Sequence, residues 1–223
     1  MEFLPICGGI LFFLAFVALF VFLFIYQRKK ERERTQALQA VAAQHGWNFL
    51  AEAPLNMIAG LENFTLFNSG HSKQIKNFMY GEASGIKAAV FDYFYVTGSG
   101  KSRHIHSQTV VYLEPPNLRV PYFSLRPENF MHKFISALGY QDIDFGQRPA
   151  FSEQYLLRGQ DEPAIRQTFN DGLLGFYETY NGTSTDAGGN QLLVFRAGYR
   201  LQPHEIQSYI ALALNLLALM PRY

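Results

Sequence analysis

Residues 86–114 read IKAAVFDYFYVTGSGKSRHIHSQTVVYLE, and the fold turns on how this stretch is read. Ile86 to Val96 is rich in β-branched and aromatic side chains, and Arg103 to Glu114 alternates in the same manner, which predicts two strands. Between them, Thr97 to Ser102 carries Gly98 and Gly100 and reads as a hairpin loop. Pairing residue 96 with residue 103 couples Ile86–Leu113, Ala88–Val111, Val90–Thr109, Asp92–Ser107 and Phe94–Ile105 on one face. The other face couples Lys87–Tyr112, Ala89–Val110, Phe91–Gln108, Tyr93–His106 and Tyr95–His104. The first set is the more apolar and is expected to point to the core.

Outward from this hairpin, Lys73 to Glu82 reads as a preceding strand, joined through Ala83-Ser84-Gly85. Val120 to Leu125 reads as a following strand, with Pro121 placing it at an edge or near a strand start. Trp47 to Leu50 and Phe64 to Phe67 read as short strands around a helical turn from Pro54 to Leu61. Pro127 opens a predicted helix that Gly139 closes. Asp142 to Phe145 and Phe151 to Arg158 are strand-like. Asp161 is an N-cap candidate for a helix over Glu162 to Tyr180. Thr183 to Asp186 and Gln191 to Arg196 form a hairpin pattern, and a last helix over Pro203 to Met220 is expected to pack on the sheet.

The N-terminus has a different composition. Phe3 to Tyr26 is 24 residues without a charged side chain or histidine, and 17 of them are Phe, Leu, Ile or Val. As a helix it rises about 36 Å, against a hydrocarbon core of about 30 Å. Arg28, Lys29, Lys30, Arg32 and Arg34 follow it, the reverse of a signal peptide's charge order. By the positive-inside rule, this predicts a single-pass anchor with the N-terminus outside and the bulk of the chain cytoplasmic. The predicted class is α+β: a transmembrane helix at 1–27, a basic juxtamembrane helix at 28–46 and a cytoplasmic domain at 47–223. That domain is expected to hold a largely antiparallel sheet and three to four packed helices, with a sub-boundary near 150.

Composition excludes several function classes. The net charge is +1, and residues 35–223 hold 14 Lys/Arg against 15 Asp/Glu, so no nucleic-acid partner is expected. The single cysteine, Cys7, rules out a disulfide framework within the chain. Thr97 to Ser102 resembles the end of a P-loop, but Tyr95 stands where its first glycine belongs. The residues after Ser102 also alternate as a strand, whereas a P-loop opens a helix whose N-terminal amides hold phosphate. His104 and His106 share a strand face, yet no third ligand accompanies them, so neither a metal nor a cofactor is expected.

Asp92 falls on the apolar face of its strand, where a carboxylate needs a partner. The favoured partners are Ser107, Thr109 or a basic side chain. Asp142 and Asp144 flank Ile143 as a second carboxylate pair. Tyr93, Tyr95, Lys101, Arg103, His104 and His106 form the candidate binding patch.

Phe91-Asp92-Tyr93, Thr97-Gly98-Ser99-Gly100-Lys101 and Gln108-Thr109-Val110, together with the apolar N-terminus, resemble an uncharacterised family of bacterial single-pass membrane proteins. The resemblance implies a bacterial inner-membrane setting and carries no activity or functional residue. The sequence reading is therefore a membrane-anchored, non-catalytic binding or scaffold domain whose partners are the lipid bilayer and another membrane-associated protein. One alternative is a tethered hydrolase built on Asp92 with the histidines or with Asp142/Asp144. The other is an accessory subunit of a membrane complex that docks through an exposed apolar stripe on 206–220.

Overall fold

The computed structural model describes residues 3–128 and 142–221, with side chains from residue 13 onward. A helix, α1 (Phe3–Gln44), leads into one antiparallel sheet of eight strands in the order β1-β2-β3-β4-β8-β7-β5-β6. The first four are consecutive neighbours: β1 (Asn48–Ala53), β2 (His71–Ala83), β3 (Ile86–Thr97) and β4 (His104–Glu114). A four-residue helix, α2 (Thr65–Asn68), sits between β1 and β2. The remainder comprises β5 (Val120–Pro127), α3 (Pro149–Gln154), β6 (Tyr155–Gly159), α4 (Glu162–Thr168), α5 (Asp171–Thr179), β7 (Ser184–Gly189), β8 (Gln191–Phe195) and α6 (Ile206–Leu219).

Both faces of the sheet are covered, because β3 and β4 are apolar on both. On one face, Leu38 and Ala42 of α1 and Ile206, Ile210 and Leu216 of α6 share a core with Val90, Val111, Leu113 and Val194. On the other, Leu61, Phe64 and Phe67 from the β1–β2 connection cover Phe91, Tyr93, Tyr112 and Phe195.

Among the described residues, no helix is long and apolar enough to cross a membrane. This corrects the predicted fold class in its first element and removes the transmembrane, single-pass and inner-membrane assignments that depended on it. Arg34 is also no membrane flank: its side chain is only 10% exposed and turns onto the sheet.

Several local expectations change for physical reasons. The β3–β4 register is two residues from the predicted one, with Val96 opposite Ile105 and Asp92 opposite Thr109. A shift of two keeps every side chain on its face. It arises because the loop consumes Gly98 to Arg103, including a 3-10 turn over Gly100–Ser102. Phe64 to Phe67 enters a short helix instead of a strand. Asp142 to Phe145 is not a strand, although Ile143 N–H donates to Leu157 C=O at 2.8 Å. Pro149 opens α3, which takes residues 151–154 of the predicted 151–158 strand and leaves β6 only five residues.

Asp161 does cap α4, accepting from Ala164 N–H at 3.1 Å, but the expected long helix breaks there. Asn170 recaps it as α5, accepting from Leu173 N–H at 2.9 Å. The helix predicted from Pro127 to Gly139 falls on residues outside those described, apart from Pro127, which ends β5, and Glu128. The last helix packs on the sheet as expected, so its apolar side chains form no exposed docking stripe.

Candidate functional site

The most elaborate polar site centres on Asp92, which is 1% exposed on the helix-covered face of β3. Arg34 reaches it from α1 in a two-pronged contact, Nε to Oδ2 and Nη2 to Oδ1, both 2.8 Å. Thr109 Oγ1, on the neighbouring strand, donates to Oδ1 at 2.6 Å and accepts from Leu201 N–H at 2.9 Å. Asn77 Nδ2 donates to Oδ2 at 3.0 Å. Its position has a backbone cause: β2 slips register between Lys76 and Met79, and Asn77 takes φ +51°, a left-handed conformation that asparagine tolerates better than most residues. The carboxylate therefore meets a guanidinium, a hydroxyl and an amide in one closed cluster.

One turn earlier on α1, Glu31 accepts from both Nη atoms of Arg200 at 2.7 and 2.8 Å. That guanidinium also lies over the Phe94 ring, 5.4 Å from its centroid. The Arg200 hydrogen bond is the main cause that draws the Glu31 carboxyl below its ordinary pKa. Moving from Arg34 to Glu31 along the helix thus corresponds to moving from Asp92 to Phe94 along β3. Both paths lead to the end of the sheet that carries the β3–β4 loop.

A second buried pair occupies the other face. Arg126 Nη1 lies 2.6 Å from Asp186 Oδ1, and Leu66 N–H donates to Asp186 Oδ2 at 2.9 Å. Arg126 also covers the Phe195 ring at 4.7 Å. Here the carboxylate fastens the β1–β2 connection to the sheet.

The structure divides the predicted patch. Tyr93 and Tyr95 are 0% and 1% exposed and belong to the second core, where burial pushes both phenols well above their ordinary pKa. His106 is half-buried, with its ring stacked on Tyr95 at 4.7 Å and Nε2 2.7 Å from Thr97 Oγ1. Lys101, Arg103 and His104 are exposed at the loop, next to Ile105, itself 64% exposed. Gly98 holds φ +69°, and a Cβ there would lie 2.2 Å from Ser102 O, so the loop requires glycine. Strand β4 follows the loop, as the alternation predicted, and no helix N-terminus is present for a phosphate.

Asp92 and the histidines occupy opposite faces, so the proposed hydrolase constellation is not assembled. Asp142 Oδ1 accepts from Leu157 N–H at 2.8 Å, and burial raises its pKa despite that bond. Asp144 is exposed beside it, and its backbone carbonyl accepts from Arg166 at 2.7 Å. Among the described residues, no group of three or more His, Cys, Asp or Glu side chains is arranged to hold a metal.

Sequence reasoning identified Asp92 and its need for a partner, with Ser107, Thr109 or a basic side chain as alternatives, but not Arg34, 58 residues away. It missed Arg126–Asp186 altogether. A single charged residue in each of two strands that carry no other charge was the available signal.

Neither a family model nor a curated protein matches the chain. Its fold is similar to a crystal structure of the mycobacterial trehalose monomycolate transport factor A, with a TM-score of 0.60 and 14% identity. The match covers 86% of this chain and 98% of that one, and the likeness is one of fold.

Proposed function

We propose that the chain is a non-catalytic accessory domain that docks onto a partner protein through the end of the sheet where α1 departs. The observation that carries this reading is the exposure of every side chain from Phe13 to Tyr26, Phe20 at 66% and Phe13 at 64% among them. An apolar surface of that extent favours a covering partner. The helix is not loosely attached: the Arg34–Asp92 and Glu31–Arg200 pairs fix its direction relative to the domain. Lys101 and Arg103 lie at the same end, so the fitting partner presents an apolar surface bordered by negative charge.

Two further observations support a binding role over catalysis. Asp92 and Asp186, the buried carboxylates among the described residues, are both engaged in ion pairs with arginines. The fold likeness is to a protein titled a transport factor, a role compatible with an accessory subunit.

The test is a photoreactive amino acid at position 20 or 24 of the full chain, illuminated in the cells that express it. A discrete protein adduct that disappears when Lys101 and Arg103 are both replaced by glutamate supports the reading. Adducts with lipid alone, or a protein adduct indifferent to the two charge reversals, would overturn it.

A further inference from the structure

We propose that a groove on the second face of the sheet, at the β5–β6 edge, binds an organic anion: a carboxylate or phosphate joined to an apolar or aromatic body. It encloses about 410 Å³, within the range of small-molecule sites. Its floor is Ser124 and Arg158, directly opposite each other on β5 and β6. Its walls include the rings of Phe64 and Tyr122, 5.8 Å apart, and the side chain of Asn68.

The inference starts from Arg158. This arginine is half-buried, forms no ion pair among the described residues, and has a buried Nε without a hydrogen-bond partner. Arg34 and Arg126, the other arginines held against the sheet, each have a carboxylate. A guanidinium is obligately charged and offers planar paired donors suited to carboxylate or phosphate. Asp142 is near enough to feel the Arg158 charge but spends Oδ1 on the Leu157 amide and makes no salt bridge with it. Glu62 lines the groove as an exposed acid and sets a requirement on the ligand: its anionic group must sit over Arg158, away from Glu62.

The aromatic wall defines the rest of the ligand. Tyr122 is 49% exposed, and its ring lies flat against Gly188, where an added Cβ would come within 2.2 Å of Cδ1. The backbone thus holds the ring beside the groove with one flank open. A bare inorganic ion would leave that flank unused, whereas an aromatic or aliphatic body covers it.

This site is separate from the α1 end and does not depend on the proposed protein partner. The probes are phenyl phosphate and benzoate, with inorganic phosphate as the ion lacking an apolar body. They are titrated into the full chain in a non-ionic detergent and followed through the Arg158 Nε–H and Ser124 amide NMR signals. The expected result is saturable shifts with both organic anions and at least tenfold weaker binding of inorganic phosphate. Arg158→Ala abolishes the Ser124 shifts, Arg158→Lys retains them at reduced affinity, and Tyr122→Leu weakens the organic anions while leaving inorganic phosphate unchanged. Absence of shifts in the folded wild-type chain overturns the proposal, as do Ser124 shifts that persist in Arg158→Ala.

Discussion

Arg34 and Arg158 both lie against the same sheet, on opposite faces, and have opposite fates. Arg34 comes from a helix and closes onto Asp92, with Thr109 and Asn77 completing the carboxylate's shell. Arg158 belongs to an edge strand and faces a groove with Ser124, Asn68 and an aromatic wall, and among the described residues it has no paired carboxylate. The first is a fastening: remove either charge and the other is stranded in a dry interior. The second is not required by the packing around it, so its charge is open to a ligand. A buried charge is informative about function mainly when its partners fail to account for it.

The sharpest way to break this contrast is to remove the fastening. Arg34→Ala leaves Asp92, whose side chain is fully buried, without its counter-charge. The expected loss is about 3–5 kcal/mol, read as a fall in the urea midpoint without a change in slope. Replacing both partners, as Arg34→Met with Asp92→Leu, is expected to recover most of it, since two apolar side chains leave nothing stranded. A single Arg34→Ala variant as stable as the wild type would show that α1 is not fastened by this pair.

A smaller effect is expected within the same cluster. Thr109 Oγ1 both donates to Asp92 and accepts from the buried Leu201 amide. Thr109→Val keeps the shape and removes both bonds, together with the longer one that Oγ1 accepts from Arg34 Nη2 at 3.3 Å, and its expected cost is about 1–3 kcal/mol. Faster hydrogen exchange at the Leu201 amide would locate the damage; unchanged exchange there would show that the amide has another acceptor.

How much of this was legible in advance follows from range in sequence. The β3–β4 hairpin could be read because its alternation and loop glycines are local signals, and even its register error of two preserved the faces. The burial of Tyr93 and Tyr95 was not legible, because it depends on Phe64 and Phe67, folded over them by a connection that had been read as a strand. Asp92 announced itself as a carboxylate in an apolar run, while its partner lay in a segment read as a membrane flank. Arg158 gave no signal: an arginine on a short edge strand has the same local pattern whether solvated or facing a groove.

The Glu31–Arg200 pair tests the fastening near solvent, with a pH signature. Its folded-state pKa is lowered, chiefly by the Arg200 hydrogen bond. The stabilisation is therefore present above the unfolded value, about 4.3, and is lost as pH falls through the lower folded value. With the Glu31 side chain 51% exposed, solvent screening holds the effect to less than about 1 kcal/mol. Arg200→Gln should lower stability at neutral pH by that small amount, leave it unchanged below the folded pKa, and so flatten the acid limb of the stability curve; a limb as steep as the wild type's would assign it to other carboxylates.

The smallest expected effect is the one that completes the comparison. Arg158→Ala removes a cation with no ion pair among the described residues, so its removal strands no opposite charge. The change in stability should stay within about 0.5 kcal/mol, the range of substitutions that disturb no buried partner. The same side-chain truncation at Arg34 is expected to cost several times more, although both residues are arginines held against the sheet. If Arg158→Ala destabilised the chain as much as Arg34→Ala does, Arg158 would be a fastening too, holding a contact as strong as the Asp92 pair, and the distinction between the closed and the open arginine would fail.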